Sequence, residues 1–289
     1  MRCVKRTIDI GSNLTKFIRF EKSDGTLLFS SIPSIVRKTH TKSFQQKEEH
    51  RTPIPNKVSI FGQQYLVGSS STGNLIREDI LSNREYFFEH YMALVSSVTS
   101  HMDESIIDEL ILTAPLSRIT WLQKRTNSYL RRPICYPNHE PIIIKKNMVV
   151  PSCYGSYLNY LYHSRNSIHK NIHQYLLIDF GHQLVEWLAV NASRPSIKHS
   201  GFMKISHNHS ANTNNKSLLV NKEVKRLFQR IAPVIHESCC QQILLTGGLA
   251  PEYETALHNI VPGIPVITAP DNIYANVLGY QRNLINRKL

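Results

Sequence analysis

Asp9 and Asp179 stand at the same place in two copies of one local design. In Ile8 to Phe20 (IDIGSNLTKFIRF) and Leu176 to Val190 (LLIDFGHQLVEWLAV) an apolar strand runs into Asp-x-Gly, turn residues follow, and a second strand returns. A hairpin tip of this kind leaves backbone N–H groups turned toward an anion, and its carboxylate suits a hydrated magnesium ion. Gln242 to Ala250 (QILLTGGLA) adds a strand that ends in a glycine turn. Together these segments predict two similar domains that hold one nucleotide, its phosphates gripped by hairpins. Neither G-x-x-x-x-G-K-S/T nor G-x-G-x-x-G occurs in the chain, so the grip is not a Walker A loop or a dinucleotide fingerprint.

The candidate nucleotide-binding residues are Asp9, Gly11, Ser12, Asn13 and Lys16 on the first hairpin and Asp179, Gly181 and His182 on the second. Gly247, Gly248 and Leu249 complete the set at the glycine turn, and Asp9 and Asp179 are expected to hold magnesium through water. Plainer roles are open to the same residues. Asp-x-Gly favours ordinary tight turns, a lysine suits a surface strand, and Gly-Gly is a common strand-to-helix connection. Repetition at both hairpins favours the phosphate reading. His199, His207, His209 and His236 fit no zinc spacing and read as solvated side chains, while Cys239 and Cys240 read as small core residues.

The elements that must position these residues alternate between strand and helix. Thr7 to Ile10 and Phe17 to Phe20 form the first hairpin, Leu27 to Val36 continues as an extended segment interrupted at Pro33, and Arg37 to Asn56 reads as an exposed loop. Val58 to Phe61 and Gln64 to Val67 make another hairpin. Phe87, Phe88, Tyr91, Leu94, Val95 and Val98 recur at steps of three and four, which predicts a helix between Arg84 and Met102. Leu110 to Ala114 is a short buried strand, Ile119 to Leu130 a helix, and Ile142 to Ile144 and Met148 to Val150 are strands. Pro151 and Ser152 sit where a helix through His163 can begin.

The polar run Ser164 to His173 links the halves, with the boundary expected at about residue 165 to 173. Tyr175 to Asp179 and Leu184 to Val190 form the repeated hairpin, Ile197 to Ile205 adds a strand, and His207 to Lys216 is a loop. Ser217 to Glu237 reads as a helix that Pro233 should kink or end. Strands at Ile243 to Leu245 and Val266 to Thr268 and helices at Pro251 to Ile260 and Asn272 to Ile285 complete the chain.

The length of 289 residues suits two domains with sizeable cores. Five cysteines without a C-x-x-C pair argue against a disulfide framework or a zinc site and fit a reducing cytoplasm. No apolar run approaches the roughly 18 residues of a membrane span, and Asp9 and Gly11 interrupt the place of a signal peptide's apolar region, so neither membrane nor export is expected. The formal charge of +13 favours a polyanion or an acidic partner surface. Its basic residues gather loosely: Arg37, Lys38, Lys42 and Lys47; Arg125, Arg131 and Arg132; Lys222, Lys225, Arg226 and Arg230. No helix-turn-helix, zinc or basic-zipper pattern occurs, so direct DNA contact is expected to be weak and non-specific.

The order of parts resembles the actin-like ATPases, and within them the plasmid-segregation family of ParM and StbA. The first hairpin is matched by Asp9, Gly11, Asn13, Thr15 and Lys16, an extended Phe-Pro-Ser run is similar to Phe29 to Val36, and a strand end is similar to Leu66, Val67 and Gly68. The adenosine turn matches Leu245, Gly247 and Gly248, and a closing pattern is met by Asp271, Ala275, Asn276, Gly279 and Tyr280. The resemblance implies an α/β, ribonuclease H-like pair of duplicated actin-like domains around a nucleotide cleft. Domain I would span 1–165 and domain II 166–289, with the last helix packing back on domain I. It further implies ATP or GTP with magnesium, self-assembly into filaments for plasmid partition, and a DNA-bound adaptor protein.

Three departures stand against the family pattern. The second hairpin holds His182, Gln183, Leu184 and Glu186 where relatives place Gly-x-Thr and a closing Asp, so hydroxyl contacts are lost. Ser152 follows Pro151 where the family has a glutamate or glutamine that positions the attacking water, which implies slow hydrolysis. The span from Asp179 to Gly247 is short for a segment that usually includes an inserted helical subdomain. The alternative reading is a catalytically impaired, non-filamentous scaffold or regulator acting with DNA or an adaptor. A small-molecule kinase would need an Asp base at a helix start between the hairpins, and Asp103 and Asp108 precede a strand instead.

Overall fold

The computed structural model describes residues 3–39, 56–68, 84–136, 139–164, 172–182, 184–205 and 213–286. Most of the loops expected over Arg37 to Asn56 and His207 to Lys216, most of the run Ser164 to His173, and Gln183 lie outside the described residues. The chain divides into two compact units, Met1–Ala114 with Arg118–Val149, and Pro115–Ser117 with Val150–Leu289.

In the first unit, β1 (Lys5–Ile10), β2 (Leu14–Glu21) and β3 (Leu27–Pro33) form an antiparallel meander. A short strand β4 (Val36–Thr39) pairs with β6 (Gln63–Val67), which also pairs with β5 (Asn56–Ile60). Helix α1 (Arg84–Thr99) comes next, followed by β7 (Ile106–Ile107), β8 (Glu109–Ala114) and α2 (Ile119–Tyr129). The strands β9 (Ile134–Tyr136), β10 (His139–Ile144) and β11 (Asn147–Pro151) close the run. The main sheet has the order β11-β8-β1-β2-β3, with β8 parallel to β1. β1 and β8 are buried along almost their whole length; β8 is the near-continuous apolar strand that a covered sheet favours, whereas β1 buries the polar Arg6, Thr7 and Asp9 beside Ile8. Phe88, Tyr91, Met92, Val95 and Val98 of α1 join Ile8, Phe17 and Leu112 in one core, where each fully buried side chain contributes about 1.5–3 kcal/mol.

The second unit repeats the plan. β12 (Gln174–Phe180), β13 (Leu184–Asn191) and β14 (Arg194–Lys204) form the meander, and β15 (Gln242–Thr246) runs parallel to β12, giving β14-β13-β12-β15-β16 with β16 (Val266–Thr268). Its helices are α3 (Tyr154–His163), α4 (Thr213–Glu237), α5 (Ala250–Ile260) and α6 (Ala275–Asn286). Side chains alternate across β12 with period two. Leu176, Ile178 and Phe180 join Val224, Leu227 and Ile231 of α4 and Tyr253 and Leu257 of α5, whereas Tyr175 and Leu177 join Tyr157 and Tyr160 of α3. Helix α3, which the sequence reading attaches to the first half, thus packs into the second unit's core, and α6 packs on α3. A Cβ placed on Gly279 would lie 1.8 Å from the Gly155 carbonyl oxygen, and one on Gly155 would lie 2.2 Å from that of Asn276. Only glycines let these two backbones meet.

Several expected boundaries move. Pro151 closes β11 instead of opening a helix, and α3 begins at Tyr154 after the turn through Ser152 and Cys153. Helix α4 starts before Ser217 and runs through Pro233, which is exposed, so the carbonyl it leaves unbonded can be hydrated. Ala192 and Ser193 take φ of 45° and 64°, a two-residue turn that starts β14 earlier than Ile197. The strands β7 and β9 are too short to show alternation and were not foreseen.

Candidate functional site

The first hairpin turns through Gly11, Ser12 and Asn13, and the Gly11 N–H donates to the Leu14 carbonyl at 3.1 Å. A Cβ on Gly11 would sit 2.9 Å from that same oxygen, so the tight tip needs glycine. The register places Asp9 directly opposite Lys16. Asp9 is 2% exposed and both its oxygens are engaged: Lys16 Nζ donates to Oδ2 at 2.9 Å and Thr113 Oγ1 to Oδ1 at 2.7 Å. Thr113 Oγ1 also accepts from the Ile10 N–H at 3.1 Å, fixing the end of β8 to the base of the tip. A carboxylate this deep is sustained by an opposite charge and by hydrogen bonds. Tyr91 donates to the Thr113 carbonyl at 2.8 Å, and burial, followed by the charge on Asp9, raises its phenol above its ordinary range. On the far side of the tip the Ser34 N–H donates to the Asn13 carbonyl at 2.8 Å.

The second hairpin closes in the same way, Gly181 N–H to Leu184 carbonyl at 3.0 Å. Here Asp179 stands opposite Glu186, so the position of the lysine is taken by a second acid. Asp179 Oδ2 accepts from Asn276 Nδ2 at 3.1 Å. Asn276 is itself held, since its Oδ1 accepts from the Ser156 hydroxyl at 2.7 Å and the Ser156 N–H at 3.0 Å. Ser156 Oγ lies 2.7 Å from Thr246 Oγ1. Ser156 to Asn276 to Asp179 is thus one chain of hydrogen bonds that ties the first turns of α3 and α6 to the hairpin. The Thr246 hydroxyl beside it, shared between Ser156 and the Asn272 carbonyl at 3.1 Å, joins the end of β15 to the same network.

The glycine turn lies against that hairpin because β15 pairs with β12, Thr246 beside Asp179. Gly247 has φ of 90°, and a Cβ there would fall 2.4 Å from Asp179 Oδ1 and 2.5 Å from the Phe180 carbonyl oxygen. A Cβ on Gly248 would meet nothing within 4 Å, so the turn is open on that side. The Leu249 N–H reaches the Phe180 carbonyl at 3.3 Å.

The structure therefore gathers Asp9, Gly11, Ser12, Asn13 and Lys16 on one hairpin, and brings Asp179, Gly181 and His182 beside Gly247, Gly248 and Leu249 in the second unit. Ser152 is buried in the turn after β11. Thr113, Ser156 and Thr246 were missed as supports. Their signal in the sequence is slight, a lone hydroxyl at the end of an apolar run or in a helix's first turn. The two aspartates offer hard oxygen donors suited to magnesium, and among the described residues no group of three or more His, Cys, Asp or Glu could hold a metal. Each carboxylate, in its own unit, is the kind of donor that magnesium takes beside water and phosphate oxygens.

A family model, the actin-like proteins N-terminal domain, matches residues 7–155. Among solved structures, the archaeal actin homologue Ta0583 superposes with a TM-score of 0.70 at 16% identity, covering 99% of this chain and 100% of that one. AlfA of the B. subtilis plasmid pLS32, from its filament structure, gives 0.66 at 17% identity over 96% and 98%. The apo pSK41 ParM protein gives 0.65 at 14% over 100% and 99%. No curated protein sequence matches the chain. The fold, with a duplicated hairpin-and-parallel-strand plan, and the match over its first half identify the chain as a member of the actin-like protein family.

Proposed function

We propose that the chain binds a nucleoside triphosphate, ATP or GTP, with magnesium, and assembles under its control into filaments that serve plasmid partition. The observation that carries this reading is the pair of Asp-x-Gly tips, each closed by the same Gly N–H to carbonyl bond and each with its aspartate held by a neighbour. The two compact units are taken as two actin-like domains, each supplying one tip. Among the similar structures, Ta0583 is described in complex with ADP and AlfA as a filament bound to AMPPNP.

In this reading the N–H groups of Ser12 and Asn13 and of the second tip face the phosphates, Lys16 adds a positive charge beside them, and the open side of Gly248 leaves room for the nucleoside. Magnesium, when bound, would offset phosphate charge beside Asp9 and Asp179 through water. The network from Thr246 to Asn276 keeps Asp179 oriented. Ser152 cannot take over the water-positioning task of an acid or amide, so hydrolysis is slow and assembly follows binding. A DNA-bound adaptor supplies recognition of the plasmid site. No described helix is long and apolar enough to cross a membrane, and all five cysteines are free, in keeping with the cytoplasm. Ser152 and the facing acids Asp179 and Glu186 also suit the second reading, a non-filamentous scaffold.

Sedimentation of the purified protein with and without ATP and magnesium tests the proposal. Pelleting that depends on nucleotide and is lost in Asp179→Ala is expected. No pelleting, together with nucleotide-dependent thermal stabilisation, would favour the scaffold.

A further inference from the structure

The outer face of α4 carries charge of one sign. Lys222, Lys225, Arg226 and Arg230 are all exposed and follow the spacing i, i+3, i+4, i+8, so they share one side of the helix. The opposite side, Val220, Val224, Leu227 and Ile231, is buried in the core. The two acids of this helix are turned away from the stripe. Glu223 is 5% exposed and accepts from the Tyr253 hydroxyl, while Glu237, at the end of the helix, accepts from Lys198 at 3.1 Å and His199 at 3.2 Å. Among the described residues none of the four basic groups is ion-paired.

A merely solvated helix face gains from mixed signs four residues apart. Here Lys222 and Arg226, and Arg226 and Arg230, repel each other at that spacing. The helix dipole explains little of the pattern, because its pull on cations is confined to the last turn. From Asn221 to Arg230 every exposed residue is a hydrogen-bond donor: Asn221, Lys222, Lys225, Arg226, Gln229 and Arg230. Within Asn221 to Arg230 no aromatic or large apolar side chain is exposed, and the nearest exposed one on the helix is Leu218, a turn before Lys222. The face therefore has no aromatic anchor of the kind that carries protein–protein contacts and no ring on which a single-stranded base could stack. Phosphate contacts need only such donors and cations, and the four charges span about 12 Å of helix axis, several phosphates along a strand.

We infer that this face of α4 docks on the sugar–phosphate backbone of duplex DNA without reading its sequence. The net charge of +13 steers the approach. The contact is independent of the nucleotide site and complements an adaptor that recognises a plasmid sequence.

The test is fluorescence anisotropy with a labelled duplex of arbitrary sequence, titrated across salt. If all four groups neutralise phosphates, the log–log salt slope is about −3.6 and affinity falls on the order of 100-fold between roughly 50 and 200 mM salt. The variant Lys222→Gln/Lys225→Gln/Arg226→Gln/Arg230→Gln should lose most of the affinity and nearly all of the slope. Glutamine has a similar helix propensity and the positions are exposed, so the fold should hold, which circular dichroism checks. A control variant with the same charge change on the first unit, Arg84→Gln/Lys124→Gln/Arg131→Gln/Arg132→Gln, also at exposed positions, should keep the slope. Equal loss in both variants would show diffuse charge and overturn the inference. So would failure of the wild type to bind duplex at about 50 mM salt, or binding of polyglutamate through the stripe without binding of duplex.

Discussion

Lys16 faces Asp9 across the first hairpin as a nearly buried ion pair, Nζ to Oδ2 at 2.9 Å, with 14% and 3% of the two side chains exposed. Removing one partner of such a pair strands the other. Lys16→Met should therefore destabilise the fold by about 3–5 kcal/mol. Adding Asp9→Asn to that variant should recover a large part of the loss, because an amide can still accept from Thr113. Urea unfolding of the two single variants and the double variant measures this, and additive losses would show that the pair is not coupled.

Gly247→Ala tests the glycine turn. The substitution places a methyl group on a residue at φ of 90° and within 2.4 Å of Asp179 Oδ1, so either the turn or the aspartate must move. Under the proposed function wild type gains about 2.7 kcal/mol when ATP is at 100 times its Kd, and the variant should lose that gain. Thermal-shift assays with and without ATP and magnesium report it. A variant that keeps the full shift would remove the turn from the site.

Gly155→Ala separates packing from chemistry. Its methyl group would press on the Asn276 backbone where α3 and α6 touch, costing about 1–3 kcal/mol or more. Because Asn276 holds Asp179, nucleotide stabilisation should weaken as well. The conservative Asn276→Asp change leaves the helix contact intact yet sets an acid against Asp179. It should weaken nucleotide stabilisation and also lower the melting temperature of the ligand-free protein, because two carboxylates then meet where Asn276 is only 4% exposed. That loss should shrink as pH falls and one of them takes up a proton.

Hydrolysis should be slow in wild type and faster in Ser152→Gln, which restores an amide at the position matched to the water-positioning residue. Phosphate release at saturating ATP checks this. Brisk wild-type turnover that ignores changes at Asp9 and Asp179 would sink the site assignment.

His90 supplies a pH test. It is buried, its Nδ1 lies 2.9 Å from the Tyr86 carbonyl, and burial is the main cause that lowers its pKa below the ordinary histidine value. The unfolded chain takes up its proton near pH 6.5 while the folded chain resists until lower pH. The stability it supports is thus full above about pH 6.5 and lost as pH falls through the folded value. Stability should drop less between about pH 7 and 5 in His90→Gln than in wild type, read from urea midpoints.

Much of the plan was legible because it is local. The alternation in Ile8 to Phe20 and Leu176 to Val190, interrupted by Asp-x-Gly, announces both hairpins, and the spacing of Phe88, Tyr91, Val95 and Val98 announces α1. Proline misled where one φ suits two outcomes: Pro151 can open a helix or finish a strand, and only pairing in the sheet decides. The supports of the site were not legible, since Thr113 lies 104 positions from Asp9 and Asn276 lies 120 from Ser156. No periodicity reports contacts over that range. The basic stripe of α4 was visible as composition, but its one-sidedness required knowing that Glu223 points inward.

The bond from Asn276 to Asp179 spans 97 positions of chain. At synthesis rates of about 5–20 residues per second, roughly 5–20 s pass between the appearance of the aspartate and that of the amide that orients it. During that interval a growing chain can form its first hairpin complete with Thr113 and Lys16, while the second remains without its clamp. Until the helix that carries Asn276 has left the ribosome, the second aspartate of a nascent chain lacks the amide that orients it.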